Sequence, residues 1–423
     1  MLVGCIADDF TGATDLANVL TRQGMRCIQL NGLSACNPAN VQEAKSHDGV
    51  VVALKTRSIP ATNAVSQSLK ALSWLREQGA DKFFFKYCST FDSTDDGNIG
   101  PVAEALMDSL GTDMTIACPA APENVRTVYQ GHLFVGGKLL SETGMRHHPI
   151  TPMTDPNLVD VLARQSRSKV GLVSFTEVAA GPDAVRKRLQ SNKKDACRLA
   201  IADALTDEHL RTLAEAGFDM PLMTGGSGLA IGLPDLFRAR GLLQSETQPI
   251  DWPKISAGLV ISGSCSEATN AQVAAFKARA SAWKIEPQQL ATDKDGVVRS
   301  ALSFIAEKRR SPCLVYSTTT PEALTNAQSE LGQETASGLI EQAMGEIACG
   351  AVEAGVRKLV VAGGETSGAV VSALGIETLT IGPEIAPGVP WTLGNSNPPI
   401  ALALKSGNFG APDFFSTAFE VLP

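Results

Sequence analysis

The chain has 423 residues, 44% of them hydrophobic and 19% charged, a length and balance suited to two soluble globular domains rather than one core. A formal net charge of −8 and a pI near 5.3 argue against a nucleic-acid surface, although a local basic pocket for a small anion remains compatible with them. Nine cysteines, no two within four residues, fit reduced structural thiols rather than a disulfide framework or zinc knuckle, and no apolar run reaches the ~20 residues of a membrane span.

The N-terminal hydrophobic run stops at Asp8 with no basic segment ahead of it, so the expected location is cytoplasmic. Leu2–Ala7 reads as a short strand that runs into Asp8, Asp9, a glycine turn and an amphipathic stretch. Ala13, Leu16, Ala17 and Leu20 recur at helical spacing, and Gly24 supplies the C-terminal stop. A helix N-terminus beyond a strand end favours anions. Asp8 and Asp9 work against that field, so a compensating ligand, cation or hydroxyl network is expected.

Further strands are predicted at Arg26–Leu30, Gly49–Leu54, Lys82–Lys86 and Met114–Cys118, with a helix over Ala61–Gln78 closed by Gly79. This alternation marks a mainly parallel sheet. Asp8/Asp9, Arg57 and Lys86 each fall just past a strand's C-terminal end, where open α/β sheets bind ligands, so a shared pocket is expected. Gly131–Pro156 is rich in Gly and Pro, and its His132, His147 and His148 match no metal spacing and read as loop histidines. Gly131–Lys138 has the wrong spacing for a phosphate loop, and Leu139 stands where Ser or Thr is needed. Leu172–Phe175 and Met220–Thr224 are strands, the second opening into Gly225-Gly-Ser-Gly228, which misses the dinucleotide fingerprint by one residue. The polar segment 244–256 is the expected linker, giving domains over 1–243 and 257–423.

Beyond it, strands are predicted at Gly258–Ile261, Cys313–Tyr316, Lys358–Ala362 and Ile400–Leu404, with a helix over Ala268–Ala280. The turns at 262–267, 363–368 and 405–410 are rich in Gly, Ser and Thr, which lets backbone N–H groups and hydroxyls cradle a phosphate. Glu365 suits a nucleotide ribose or a magnesium-bound water. Two such halves suggest phosphoryl transfer across a cleft, with Asp8 or Asp9 deprotonating a sugar hydroxyl and Arg57 and Lys86 on a carboxylate.

Ala7-Asp-Asp-Phe-Thr-Gly-Ala-Thr-Asp15 resembles the opening motif of the four-carbon acid sugar kinase family. The resemblance continues through Lys86-Tyr-Cys-Ser-Thr-Phe-Asp-Ser-Thr94, Gly97-Asn-Ile-Gly100, Arg126–His132, Gly225–Gly228, Ser262–Ser266, Gly363–Thr366 and Ser406-Gly407, in order along the chain. Lys86–Thr94 is similar to the form carried by the family's 3-oxo-tetronate kinases. Threonate and erythronate kinases tend to carry Lys-x-Asp-Ser-Thr-Leu-Arg-Gly-Asn here; Cys88 replaces that acid, and the Gly-Asn pair comes later, at Gly97-Asn98.

The resemblance implies two α/β domains, each a mainly parallel sheet flanked by helices, with the active site in the cleft between them. It implies ATP-dependent, magnesium-assisted phosphorylation of the terminal hydroxyl of a 3-oxo-tetronate. Asp8, Arg57, Lys86, Tyr87, Cys88 and Ser89 would meet the sugar acid. Ser262, Gly263, Ser264, Gly363, Gly364, Glu365, Thr366 and Gly407 would meet ATP. Asp8, Asp9 and Asp92 are the candidate bases, and the metal ligands stay unassigned. A D-threonate or D-erythronate kinase is the nearest alternative. An NAD-dependent oxidoreductase would use the turn at Gly225–Gly232, and a sugar-acid sensor would bind without releasing ADP. The partners expected are a small sugar acid and ATP, without nucleic acid or membrane; a homo-oligomer is compatible with all of this.

Overall fold

The computed structural model describes residues 1–92, 94–148, 151–244, 250, 252, 258–308, 311–319, 329 and 332–422. The chain divides into two units, Met1–Gln248 and Pro249–Pro423. Most of the expected linker, 244–256, lies outside the described residues.

In the first unit the apolar runs become strands β1 (Val3–Ala7), β2 (Cys27–Asn31), β3 (Gly49–Ala53), β4 (Phe83–Lys86) and β5 (Thr115–Cys118), each buried along its whole length. Continuous apolar runs are what a parallel sheet covered on both faces requires. Helix Phe10–Arg22 buries Ala13, Leu16, Ala17 and Leu20, the stripe that its spacing predicts. Part of the Gly131–Pro156 segment joins β6 (Arg126–Tyr129) in a small antiparallel sheet, as β7 (His132–Val135) and β8 (Lys138–Leu139), so His132 opens a strand rather than lying in a loop. Its glycines are the turn residues, with φ of +73° at Gly131, +60° at Gly136 and +84° at Gly137. β9 (Lys169–Val173), β10 (Cys197–Ala202) and β11 (Leu222–Gly225) complete the unit. β10 was not expected, because neither Gly nor Pro borders it to mark its ends.

The strand order is β2-β3-β1-β4-β11-β5-β10-β9, with parallel pairing throughout. From β1 the chain proceeds to β2 and β3 on one side; from β4 it proceeds to β5 on the other. The β1/β4 boundary is therefore a topological switch point, the place outside whose strand carboxyl ends open α/β sheets bind ligands.

The second unit repeats this logic. Its strands are β12 (Gly258–Ser262), β13 (Ala282–Lys284), β14 (Cys313–Tyr316), β15 (Lys358–Ala362), β16 (Thr378–Ala386), β17 (Val389–Gly394) and β18 (Ile400–Lys405). The order β13-β14-β12-β15-β18-β17-β16 puts a second switch point between β12 and β15. β16 and β17 form an antiparallel hairpin that the sequence hides. Pro383 and Pro390 argue against strands, yet Pro383 falls where the pairing register shifts between Ile381 and Glu384. Trp391 is fully buried in the core of this unit beside Phe414 and Phe415, and its Nε1 donates to the Ala418 carbonyl at 2.7 Å. Among the described residues no helix is long and apolar enough to cross a membrane.

Candidate functional site

Register places the first cluster. β1 pairs with both neighbours so that Ala7 lies beside Ala53 and beside Lys86, and the residues that follow emerge at one sheet edge. Arg57 Nε and Nη2 there donate to Asp8 Oδ2 and Oδ1 at 2.9 and 2.8 Å, a two-bond fork. Arg57 Nη2 also lies 2.9 Å from Asp9 Oδ1, and Nη1 lies 4.0 Å from Asp92 Oδ2. Asp8, Asp9, Arg57 and Asp92 thus come together, and Arg57 is the compensating cation expected for the acid pair.

One expectation is corrected. Asp9 is the N-cap of helix Phe10–Arg22: Oδ1 accepts from the Gly12 N–H and Oδ2 from Thr11 Oγ1, both at 2.9 Å. A carboxylate at that position is favoured by the helix's positive end rather than opposed by it. The loop carrying Arg57 is held by Asn98, whose Nδ2 donates to the carbonyls of Thr56 at 2.7 Å, Arg57 at 3.2 Å and Ile59 at 2.8 Å.

Lys86 ends β4 rather than following it, and it is buried. Its Nζ donates to the Tyr87 carbonyl at 2.9 Å and lies 3.8 Å from Asp15 Oδ2, which accepts from Ser227 Oγ at 2.6 Å. A Cβ on Gly12 would stand 3.1 Å from Nζ, so the missing side chain lets the first helical turn lie close to the ammonium. Tyr87 is fully buried, edge-on to Phe85 and to Phe91 at 5.5 Å each, with its hydroxyl 3.1 Å from Thr224 Oγ1. Its side chain is therefore part of the core beneath these strand ends. Cys88 Sγ lies 2.8 Å from Thr90 Oγ1, which donates to Asp92 Oδ1 at 2.5 Å; Ser89 is buried in the same turn.

Burial raises the pKa of Asp8, with Arg57 pulling the other way. Burial also acts upward on Asp9, but Arg57, Lys86, Thr11 and the Gly12 N–H prevail and hold it below its ordinary value. Burial disfavours the Arg57 cation, yet Asp8 and Asp9 outweigh that and raise its pKa well above the usual value. Burial, aided by Asp92, pushes Cys88 up to about 12, so it is a thiol and no nucleophile at neutral pH. The glycines of 225–228 have a packing role. A Cβ at Gly226 would lie 2.7 Å from the Pro119 carbonyl oxygen, and one at Gly228 would lie 2.6 Å from that of Ala120. The run lets two backbones touch, which removes the feature on which the dinucleotide alternative relied.

In the second unit the three Gly-, Ser- and Thr-rich turns converge at the β12/β15 switch point. The N–H groups of Gly263 and Ser264 donate to the Ala362 carbonyl at 3.0 and 3.2 Å, and that of Gly363 donates to Lys405 O at 2.8 Å. A Cβ at Gly263 would run into Thr366 Oγ1, and one at Gly407 would lie 2.5 Å from Ser264 Oγ. Ser262 Oγ is fully buried against Thr318 Oγ1 at 2.7 Å, so it supports the turn from beneath. Gly364 and Glu365 open helix Gly364–Ala373, with Glu365 exposed in its first turn.

Asp15, Asn98, Thr269 and Lys405 were not assigned roles from sequence. A signal existed for Lys405: like Lys86, it is a lysine ending an apolar strand just before a polar turn, and its Nζ likewise caps the next carbonyl, Ser406 O, at 2.9 Å. Burial lowers the Lys405 pKa to about 7. A lysine whose folded value lies below its unfolded one binds protons more weakly in the fold, so its burial weakens the fold at low pH. That penalty is relieved as pH rises from about 7 toward the unfolded value of about 10.4. In urea unfolding, the stability of the natural chain relative to Lys405→Met should rise across that window by up to about 1.4 kcal/mol per pH unit. A pH-independent difference would refute this.

Residues 3–233 match the family described as a sugar-binding N-terminal domain, and residues 259–415 that described as a nucleotide-binding C-terminal domain. The 3-oxo-tetronate kinases of Cupriavidus necator and Pseudomonas fluorescens are each 54% identical over 423 residues, spanning 100% of this chain and 97% of theirs. The Salmonella typhimurium 3-oxo-tetronate kinase is 42% identical over 98% of both chains. Among solved structures, a Salmonella typhimurium LT2 protein superimposes with a TM-score of 0.84 at 41% identity over 98% of each chain. A Haemophilus influenzae protein does so with a TM-score of 0.75 at 41% identity, covering 99% of this chain and 100% of that one. With both halves matched in order and named kinases this similar from end to end, the chain belongs to the four-carbon acid sugar kinase family.

Proposed function

We propose that the chain is an ATP-dependent kinase that phosphorylates the 4-hydroxyl of 3-oxo-tetronate, releasing 3-oxo-tetronate 4-phosphate and ADP. The observation that carries this reading is the 54% identity over the full chain to 3-oxo-tetronate kinases. Residues 1–243 hold the sugar acid and residues 257–423 the nucleotide. Arg57 and Lys86 supply positive potential for the substrate carboxylate, while the turn at Tyr87, Cys88 and Ser89 shapes the wall beside it. Arg57 also opposes the burial that raises the Asp8 pKa, helps hold Asp9 below its ordinary value, and keeps both carboxylates in place.

Asp92 is the base in this reading. Both Asp8 oxygens accept from Arg57, and both Asp9 oxygens accept from Thr11 or Gly12. Asp92 uses Oδ1 for Thr90, and its Oδ2 stands 4.0 Å from Arg57 Nη1, leaving room to take a hydroxyl proton. In the transfer the hydroxyl oxygen bonds to the γ-phosphorus, the bond to the bridging β–γ oxygen breaks, and the proton passes to the carboxylate. Among the described residues no group of three His, Cys, Asp or Glu side chains is arranged to hold a metal ion. Magnesium would arrive with the nucleotide, held mainly by its phosphates and water, and would supply charge neutralisation of the transferring phosphoryl group.

An ADP-release assay against 3-oxo-tetronates, threonate, erythronate and a hexonate tests the assignment. The 3-oxo-tetronate should be preferred in kcat/KM by roughly tenfold or more, a transition-state difference of about 1.4 kcal/mol. Absence of turnover with every tetronate would sink the kinase reading, and a preference for threonate or erythronate would shift it to the nearest alternative. A second expectation concerns Gly363, whose φ is +123° and whose Cβ would lie 3.0 Å from Thr366 Oγ1 and 3.2 Å from Ser264 N. Gly363→Ala should raise the KM for ATP by about tenfold or more and leave that for the sugar acid within about twofold. Equal effects on both KM values would count against a nucleotide role for this turn.

A further inference from the structure

The Gly407 carbonyl accepts from Ser266 Oγ at 2.6 Å, from Thr269 Oγ1 at 2.8 Å and from Lys405 Nζ at 3.0 Å. A carbonyl has two lone pairs, so three donors on one oxygen exceed what closing a turn requires. Lys405 is fully buried, and its other contacts are Thr269 Oγ1 at 3.1 Å and Ser406 O at 2.9 Å. Among the described residues no carboxylate lies within ion-pair distance of its Nζ. Fully burying a lysine without an acidic partner is costly, and here it gathers three oxygens at one turn.

The Gly407–Asn408 peptide is trans, so its N–H points opposite to its C=O. With Gly407 O drawn inward onto Lys405 and Thr269, the Asn408 N–H is aimed outward, and Asn408 is exposed. Glycine is needed at 407 because a Cβ would crowd Ser264 Oγ and Ser266 Oγ at 2.5 and 3.1 Å, and both hydroxyls belong to the neighbouring turn of the same switch point.

The geometry points to Lys405 as a positioning residue for the nucleotide: with Thr269 it locks the Gly407–Asn408 peptide so that its N–H faces outward as a donor to a nucleoside polyphosphate. This deepens the nucleotide reading of the second unit and rests on it. Lys405 itself touches no ligand, because all its contacts lie inside the fold.

The test is calorimetric titration of the full chain with ADP, which reads binding without turnover, together with thermal unfolding. Lys405→Met and Thr269→Val should each weaken ADP binding by about tenfold or more, the scale of a lost charge-assisted hydrogen bond. Thr269→Ser keeps the hydroxyl on Gly407 O and should stay within about threefold of the natural chain. Affinity for 3-oxo-tetronate should be unchanged in all three variants. A purely structural Lys405 would lower the unfolding temperature and leave ADP affinity alone; that result in a folded Lys405→Met or Thr269→Val chain overturns the proposal. If Lys405→Met does not accumulate as folded protein, Thr269→Val, which is nearly isosteric, decides. Failure of the natural chain to bind ADP would overturn the nucleotide reading and this proposal with it, whereas normal binding by natural chain and variants alike would overturn the proposal alone.

Discussion

Asp92→Asn should lower kcat by roughly a hundredfold or more while leaving the KM for 3-oxo-tetronate within about threefold, the pattern of a lost proton acceptor rather than a lost binding contact. The amide keeps the size of the carboxylate and can still meet Thr90, so the turn at Cys88–Asp92 should hold its shape. What it loses is a basic Oδ2. Phe91, just before Asp92, is fully buried with φ of +54°, a strained conformation for a bulky residue that its packing against Tyr87 sustains. Backbone strain at that position fits a side chain whose direction matters. Asp8→Asn and Asp9→Asn provide the contrast, because both carboxylates are already committed to Arg57 and the helix cap; their loss should disturb KM and stability together with kcat. Steady-state kinetics on the three variants separates the cases. If Asp92→Asn keeps its kcat and Asp8→Asn loses it, the base is Asp8.

Arg57→Ala should remove about 2 kcal/mol of unfolding free energy and lower kcat/KM by roughly a hundredfold or more. The guanidinium forks onto Asp8 and reaches Asp9 with the same Nη2, so its removal strands two adjacent carboxylates in a largely buried place. Removing one partner of such a pair costs more than the pair is worth, because the remaining charge is left desolvated. The pH dependence has a definite sign. Without Arg57, burial and mutual repulsion raise the folded pKa values of Asp8 and Asp9 above the unfolded value of about 3.9, so the variant loses stability as pH rises through that region. The natural chain holds Asp9 below its ordinary value and is spared that loss from Asp9. The stability gap should therefore widen from pH 4 to pH 7. Arg57→Lys should not restore activity, since a point charge cannot reproduce the fork. Unchanged urea midpoints together with an unchanged KM for the sugar acid would remove Arg57 from both roles.

Much of the site was legible in residues 5–15. The strand, the acid pair and the helix behind it follow from an apolar run that meets two aspartates and then repeats at helical spacing, all within one short segment. The demand for a compensating cation was legible too, although the helix field is not its cause. Asp9 is stabilised by the helix it caps, and the charge that needs offsetting is chiefly that of buried Asp8. Lys86 was placed at the right strand end, but its burial and its approach to Asp15 were not readable, because a lysine ending a strand looks the same locally whether it is solvated or buried.

The sequence by itself determined which segments are strands where a run is apolar on both faces and turn residues mark its ends, as in β1, β3, β4, β12, β14 and β15, because burial on both sides writes itself into every residue of the run; β10, nearly as buried but without such borders, escaped it. It failed for β16 and β17, where proline is tolerated only through a local shift of register that depends on the partner strand. The tertiary structure alone decided which strands lie side by side, and hence that Asp8, Arg57 and Lys86 share one edge and that three separated turns meet at another. It also decided that Thr269 and Lys405, 136 residues apart, close on the same carbonyl, and that Asp15 and Ser227, 212 apart, fix each other. Periodicity is a property of one segment against one environment, whereas a hydrogen-bond partner is chosen by the packing of the whole chain.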